Sequence, residues 1–242
     1  MNDGFFYFYN QIENLMFKNL INLLFPKVCL GCKSFLLSNE NVICSSCRHE
    51  IPLTQHSKNP ENEAFKKFYG RINVEYASTL MYYHKKGIVQ EIIHSLKYRG
   101  HEEVGTVFGE WFAEDLKSEA ITKTFDEIIP VPLHKKRLRE RGYNQVTTFG
   151  QGLSKMLEIP FNPTLLQRNI YSKTQVKKSF LGRTEVTDTL FDVTFDEKDH
   201  NKHFLLIDDV LTTGSTLEAC GRALLKIPGA KISVVCMAMS HS

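Results

Sequence analysis

The 242-residue chain has no long uninterrupted apolar run and no basic stretch ahead of its first apolar residues. Asp3, Glu13 and Lys18 interrupt residues 1–26, which argues against both a signal peptide and a transmembrane helix. The net charge of +3 is too small to indicate a nucleic-acid partner from totals. We therefore expect a cytoplasmic globular protein whose partners must be inferred from local clusters of residues.

Two common phosphate-binding motifs are also absent. No glycine-rich loop ends in the lysine of a Walker A motif, and there is no GxGxxG dinucleotide fingerprint. Internal repeats and low-complexity segments are lacking as well. The sequence therefore argues against a P-loop nucleoside triphosphatase and against a repeat protein.

The chain falls into four predicted regions. Residues 1–26 carry apolar side chains at helical spacing up to Pro26 and predict an amphipathic helix. This helix is expected to dock on the protein, although the aromatic run FFYFY leaves a partner-binding or peripheral membrane helix as an alternative. A cysteine module is predicted over 27–58, a polar linker over 59–71 and an α/β domain over 72–242.

Two CxxC pairs define the cysteine module, Cys29 with Cys32 and Cys44 with Cys47. Four thiolates in this pattern favour a closed, structural Zn²⁺ site, with Gly31 placed to allow the tight turn. A redox or iron–sulfur role is the alternative. Cys220 and Cys236 lie in apolar surroundings and are expected to be core residues.

Beyond residue 72, apolar strands alternate with helical patterns. The segments IIPV, FLLI and ISVVCMAM are apolar on both faces, which is typical of parallel strands with helices on both sides. The sequence therefore predicts an α/β fold built on a parallel sheet.

The segment FLLIDDVLTTGST, residues 204–216, is the strongest indication of a site. Its apolar run is expected to end at Asp208 and Asp209, at the carboxyl edge of the sheet where such folds bind ligands. Small hydroxyl residues and Gly214 then open a helix whose free amides favour an anion. A sugar phosphate fits both halves, and a capped helix beside two solvated aspartates is the simpler alternative.

This segment resembles the phosphoribosylpyrophosphate (PRPP) signature of the type I phosphoribosyltransferases. The resemblance implies that Asp208 and Asp209 contact the ribose hydroxyls. It implies that the 5′-phosphate is bound by Thr212, Thr213, Gly214, Ser215 and Thr216. Purine-salvage members have an aspartate at the first loop position, so Thr212 argues against that substrate class.

A basic run follows the apolar segment IIPVP. It is predicted to be a loop before a helix starting near Asn144, and its cations are Lys135, Lys136, Arg137, Arg139 and Arg141. The cluster is suited to pyrophosphate, to nucleic acid or simply to solvent. The resemblance implies pyrophosphate and its Mg²⁺, with Lys135, Arg137, Arg139 and Arg141 as the contacts.

Together with the CxxC pairs, HSLKYRG at 94–100 and RERGYNQ at 139–145 make residues 26–242 similar to the ComF family. That resemblance implies a zinc module ahead of a transferase domain, and partners among competence proteins and incoming single-stranded DNA. Lys97 and Arg99 are either a charged helix end or contacts to phosphate or DNA. The polar stretch 168–183 resembles a closing loop, with Thr174, Gln175 and Arg183 at family positions, whereas Val186 replaces the family's asparagine.

Three functions follow from these patterns. The first is a phosphoribosyltransferase, in which an acceptor nitrogen attacks C1′ of PRPP as pyrophosphate departs. The second is a non-catalytic protein that binds a nucleotide or single-stranded DNA. The third is a structural adaptor that docks a partner through its zinc module and N-terminal helix. The sequence does not identify an acceptor.

Overall fold

The computed structural model describes residues 26–169 and 190–240. These residues divide into two compact units on either side of the bond between Glu50 and Ile51. The predicted N-terminal helix lies outside the described residues, and so do Thr174, Gln175, Arg183 and Val186. The predicted boundaries after residues 58 and 71 stay predictions.

In the smaller unit, the described residues 26–50 form tight turns and one short helix, α1 (Ser45–Glu50). Val28 and Phe35 form an antiparallel bridge around the first CxxC turn, and Lys33 N donates to Cys29 O at 2.9 Å. Gly31 lies in the turn, as expected, and Lys33 is a left-handed residue next to it, with a φ of 66°. The turn closes one residue after Cys32, where the chain must reverse.

A parallel sheet forms the centre of the larger unit, as predicted. Its strands are β1 (Tyr76–Tyr83), β2 (Glu127–Pro130), β5 (His203–Leu211) and β6 (Lys231–Ser240), in the order β1-β6-β5-β2. A separate antiparallel pair joins β3 (Leu166–Arg168) to β4 (Phe191–Val193). β5 continues past the expected end at Asp208, because Val210 and Leu211 still pair with β6.

Helices cover both faces of this sheet, which confirms the predicted α/β class. On one face, α7 (Ser215–Leu224) shares a buried cluster with Phe204, Leu206 and Ile232. The opposite face carries α3 (Ile88–Tyr98), α4 (Glu103–Lys117) and α6 (Val146–Leu157). A Cβ at Gly150 of α6 would lie 2.7 Å from Ile207 Cδ1, so glycine lets this helix approach β5 closely.

Residues 59–71 contain a short helix, α2 (Glu63–Lys66), preceded by the buried cap residue Asn62. Asn62 Oδ1 accepts from Phe65 N at 3.0 Å, and Asn62 Nδ2 donates to Ala77 O at 2.8 Å. The second bond fixes this stretch to β1, because a buried amide must find partners within the fold.

The basic run after β2 is a helix, α5 (Lys135–Arg141), and the prediction of a loop is wrong. His134 caps its start by accepting from Lys136 N at 3.1 Å, and Gly142 ends it with a φ of 80°. Lysine, arginine, leucine and glutamate all favour helices, so the local preference agrees with this outcome. The chain then turns sharply into α6.

Candidate functional site

Asp208 and Asp209 stand near the carboxyl end of β5 and point to opposite faces of the sheet, because neighbouring side chains of a strand alternate. Asp209 is buried and faces the side covered by α3 and α6, whereas Asp208 is half-buried on the α7 side. The Asp209 amide donates to Asp208 Oδ1 at 2.8 Å. The two carboxylates therefore occupy different surroundings.

Both oxygens of the Asp209 carboxylate have side-chain partners. Lys97 Nζ donates to Oδ1 at 2.8 Å, and Gln145 Nε2 donates to Oδ2 at 2.7 Å. Lys97 ends α3 and Gln145 lies just before α6, so a single carboxylate joins two helix ends to the central strand. The positive charge and the amide together offset the cost of burying this anion.

The segment RERGYNQ is fixed by a wider set of contacts. Arg141 Nη1 donates to Gln145 Oε1 at 2.6 Å, and the Arg141 guanidinium carbon lies 5.0 Å from the centre of the Tyr98 ring. Tyr143 Oη donates to Leu96 O, and burial raises the Tyr143 pKa. These bonds link residues 139–145 to residues 94–100, two motifs that lie far apart in the sequence. The sequence gives no signal that Gln145 contacts both Arg141 and Asp209.

The Asp208 carboxyl has an abnormal acidity. Burial raises its pKa to about 7, the neighbouring Asp209 charge adds to the rise, and Lys97 and Arg141 oppose it. On the α7 side, Cys220 and Cys236 have pKa values raised by burial and then by the Asp208 charge. Both thiols are fully buried, as predicted for core residues. Asp208 is thus the carboxylate whose charge most needs a cation or hydrogen-bond donors.

The loop after β5 presents its polar groups to solvent. The side chains of Thr212, Thr213, Ser215 and Thr216 are exposed, and Gly214 has a φ of 76°. The first backbone hydrogen bond of α7 runs from Glu218 N to Gly214 O at 2.8 Å. The preceding amides at the helix start therefore point toward any ligand in front of the loop, where the helix dipole favours an anion.

Arg71 holds this loop in place, and sequence reasoning missed it. Its Nη1 donates to Thr213 O at 2.6 Å, its Nη2 to Ser215 Oγ at 3.3 Å, and its Nε to Glu218 Oε2 at 2.8 Å. One planar guanidinium thus connects the loop to the first turn of α7. Arg71 lies more than 140 residues before these partners in a polar stretch, so no local pattern marks it.

The four cations proposed for pyrophosphate do not share one environment. Lys135, Arg137 and Arg139 have exposed side chains on α5, whereas Arg141 turns inward to Gln145. Among the described residues, Arg141 alone of these four contacts the group around Asp209. Burial lowers the pKa of Arg168, and the nearby Arg137 charge lowers it further.

The four cysteines of the smaller unit come together, as the spacing predicts. Their Sγ atoms all lie within 4.8 Å of one another, and Cys32 Sγ is 3.7 Å from Cys44 Sγ. Zinc–sulfur bonds of about 2.3 Å in a tetrahedron place the sulfurs about 3.8 Å apart. Cys44 N donates to Cys29 Sγ at 3.3 Å, and Cys47 N donates to Cys44 Sγ at 3.4 Å. The donor set therefore fits a structural metal ion.

No model of a known protein family matches the chain. Curated relatives do match: the competence protein ComFC of Bacillus subtilis is 28% identical over 200 residues, covering 83% of this chain and 78% of ComFC. Competence protein F of Haemophilus influenzae is 26% identical over 216 residues, covering 85% and 94%. The DNA utilization protein YhgH of Escherichia coli K12 is 27% identical over 149 residues, covering 60% and 65%. The chain is a homologue of these three proteins.

Two solved structures align with part of the chain at low similarity. Adenine phosphoribosyltransferase from Leishmania tarentolae covers 62% of this chain and 74% of its own, with a TM-score of 0.36 and 17% identity. The enzyme from Leishmania donovani gives a TM-score of 0.35 and 15% identity, covering 62% and 68%.

Across residues 26–169 and 190–240, every helix is too short or too polar to cross a bilayer.

Proposed function

We propose that the chain binds PRPP with Mg²⁺ at the carboxyl edge of its sheet and acts as a phosphoribosyltransferase in DNA uptake. One observation carries the proposal: the acidic end of β5, the helix start at Gly214 and the cationic segment after β2 meet at the same edge. A ligand with a ribose between two phosphate groups requires these three features together.

Each part of the site has a role in this proposal. Asp208 and Asp209 accept hydrogen bonds from the ribose hydroxyls, while the amides and hydroxyls of 212–216 bind the 5′-phosphate. Lys135, Arg137, Arg139 and Arg141 face the pyrophosphate. Magnesium bound with PRPP would neutralise charge on the departing pyrophosphate, with Asp208 as the available carboxylate. Positioning and charge neutralisation then lower the barrier to breaking the C1′–O bond.

The biological setting is proposed from the relatives. Two of them are named as competence proteins and one as a DNA utilization protein, and a role in handling incoming DNA follows for this chain. We place it in the cytoplasm, among competence proteins and single-stranded DNA. The four-cysteine cluster would hold Zn²⁺ as a structural ion. The segments containing Thr174, Gln175 and Arg183, and the N-terminal helix, keep their proposed roles in loop closure and in partner or membrane contact.

Calorimetric titration with PRPP and Mg²⁺ tests the proposal directly. The wild-type protein should bind saturably, and Asp208→Ala/Asp209→Ala should reduce the affinity at least tenfold. Glu61→Ala/Glu114→Ala removes the same charge from exposed positions and should leave binding unchanged. The site assignment would be refuted if the wild type and the aspartate variant bound PRPP with equal affinity, or if neither protein bound it.

A second function is favoured by one specific observation. Helix α5 exposes Lys135, Arg137 and Arg139, and the nearby Tyr98 side chain is 63% exposed, a combination suited to single-stranded DNA. In this alternative the chain binds a nucleotide or DNA without turnover. Saturable PRPP binding with no pyrophosphate release across a panel of amines and bases would favour it.

A further inference from the structure

The smaller unit carries an exposed apolar surface next to its first CxxC turn. Phe35 and Leu37 are 71% and 67% exposed, the highest values among the large apolar side chains in the described part of the chain, and Val28 is also exposed. By contrast, Leu30 and Val42 of the same unit are buried. Large apolar side chains that stand together in solvent mark a contact surface.

Backbone pairing brings the exposed side chains together. The bridge between Val28 and Phe35 is antiparallel, and beside it Leu36 N donates to Lys27 O at 2.9 Å. Residues opposite each other in an antiparallel pair share a face, and so do residues two apart on one strand. Val28, Phe35 and Leu37 therefore lie on one face of this short pairing, and we refer to these three side chains as the hairpin face.

The N-terminal segment of the chain ends beside the hairpin face. Residues 1–25 precede the described residues, which begin at Pro26. Leu24 is three residues before Lys27, so the two Cα atoms are at most about 11 Å apart. Because Lys27 is hydrogen-bonded to Leu36, the covalent chain holds the end of this segment within reach of the hairpin face.

The sequence of residues 11–25 complements that face. Its apolar side chains recur at helical spacing and predict one apolar stripe along a helix about 22 Å long. A helix of this length is marginal by itself in water and depends on a surface that covers its apolar stripe. Leu20, Leu23 and Leu24 are the last members of the stripe before Pro26, so they are the side chains nearest to the hairpin face.

Charge and chain connection both favour this segment as the occupant. Residues 1–50 carry as many acidic as basic side chains, so the unit has no excess of positive charge to attract anionic lipid or nucleic acid. Zn²⁺ bound by four thiolates would make the unit net negative. A short covalent connection also gives the segment an effective concentration of about the millimolar range, well above that of a second molecule in dilute solution.

We propose that the hairpin face is the docking surface for residues 11–25 of the same chain. The leucines before Pro26 cover Phe35 and Leu37, and the apolar stripe of the segment is buried in return. The contact adds apolar burial to a module whose described residues 26–50 enclose few apolar side chains. It is independent of PRPP binding.

Hydrogen exchange of the zinc-loaded full chain in lipid-free buffer tests this contact. The amides of residues 12–24 should exchange at least about tenfold more slowly in the wild type than in Phe35→Ser/Leu37→Ser, which makes the hairpin face polar. Leu20→Ser/Leu24→Ser changes the other side of the contact and should lose the same protection. Phe195→Ser/Leu225→Ser removes two exposed apolar side chains of the larger unit and should exchange like the wild type.

The docking is supported if the segment is protected at every protein concentration and both docking variants lose that protection while the control keeps it. Zinc content checks that the hairpin variant is folded. If that variant loses its zinc, Leu20→Ser/Leu24→Ser decides by the same measure, because it leaves residues 26–50 unchanged.

Three results would overturn the proposal. The first is a wild-type segment that exchanges as fast as it does in the docking variants. The second is protection that appears only at high protein concentration, which would indicate a second copy of the chain. The third is protection that appears only when vesicles of phosphatidylethanolamine and phosphatidylglycerol are added, which would indicate a lipid surface.

Discussion

Lys97 Nζ lies 2.8 Å from Asp209 Oδ1 and joins the last turn of α3 to the central strand β5. With Gln145 on the second oxygen, Asp209 enters any binding event already hydrogen-bonded, whereas Asp208 does not share these partners. The adjacent aspartates are therefore unequal. Asp209 joins the ends of two helices to β5, whereas the raised pKa marks Asp208 as the carboxyl group whose charge is least well compensated.

Breaking the Lys97–Asp209 pair should destabilise the protein. Lys97→Met leaves a largely buried carboxylate with one partner, and Asp209→Asn leaves a largely buried ammonium without its anion, so each should cost about 1–3 kcal/mol. The double variant should cost less than the sum, because neither charge then remains. Urea unfolding measures the free energies.

The exposed pair Lys155–Glu110 is a matched control for this cycle, since its ammonium and carboxylate are also 2.8 Å apart. Lys155→Met and Glu110→Gln should each change stability by less than about 1 kcal/mol. A Lys97–Asp209 coupling no larger than that of the control pair would show that the contact is energetically unimportant.

Stability should depend on pH through Asp208. Because its folded pKa is raised to about 7, the native state holds more protons than the unfolded state above the ordinary carboxyl value of about 4. The free energy of unfolding should therefore fall as pH rises between these values, and Asp208→Asn should remove this fall. Its advantage over wild type should exceed about 1 kcal/mol at pH 8.

Chemical denaturation at several pH values between 4 and 8 gives the difference between the two proteins. The buried His203 has a lowered pKa and contributes an opposite slope, but that slope is common to both and cancels. The charged or titratable groups near Asp208 are Asp209, Lys97, Arg141, Cys220 and Cys236. A constant difference across the range would contradict the assigned pKa.

Arg71 should control the phosphate loop without touching the ribose. Arg71→Ala removes the bonds to Thr213 O, Ser215 Oγ and Glu218, so the loop amides lose their fixed direction. We expect the PRPP affinity of this variant to be about tenfold lower than that of the wild type. The affinity of Arg71→Lys should lie between the two, because lysine retains the charge but lacks the planar guanidinium. Hydrogen exchange of residues 212–217 should accelerate in the same order. Unchanged exchange in Arg71→Ala would remove this role.

The four-cysteine cluster should bind about one equivalent of zinc per chain. Cys32→Ser should lose the metal and unfold the smaller unit, which has few buried apolar residues to hold it otherwise. Cys220→Ala removes a thiol outside the cluster and should retain the metal. Elemental analysis of chelator-free preparations measures the zinc content per chain. Equal zinc contents in the two variants would contradict metal binding by the four cysteines.

Binding of single-stranded DNA should depend on salt through α5. Neutralising Arg137 and Arg139 together should reduce the slope of log affinity against log salt by about 1.4. The charge change is confined to exposed side chains, so folding should be unaffected. An unchanged slope on a single-stranded oligonucleotide would exclude these arginines from the interface.

The sequence predicts the strands and loops of the candidate site better than it predicts the side-chain contacts between them. The parallel sheet and the acidic end of β5 follow from apolar runs that stop at charges, a signal contained within ten residues. Lys97 and Asp209, by contrast, are 112 residues apart, and Arg71 and Thr213 are 142 apart. Such pairs arise from how the chain folds back on itself, so periodicity cannot indicate them.

Two local errors have local causes. Clustered charges after a strand favour a loop, but lysine, arginine and glutamate also favour helices, and His134 and Gly142 are good start and stop residues for α5. The two aspartates predict that β5 ends at Asp208, because charged side chains are rare inside a sheet. Parallel pairing with β6 nevertheless continues to Leu211. In both cases backbone hydrogen bonding outweighed the polarity of the side chains.

The place of β6 in the sheet affects how the protein is made. Although β6 follows every other described strand along the chain, it lies between β1 and β5. During translation, β1 has no neighbouring strand of the sheet until β6 has left the ribosome, so its edge stays unpaired for most of synthesis. Truncation before Lys231 would therefore remove the strand that joins β1 to β5 and β2.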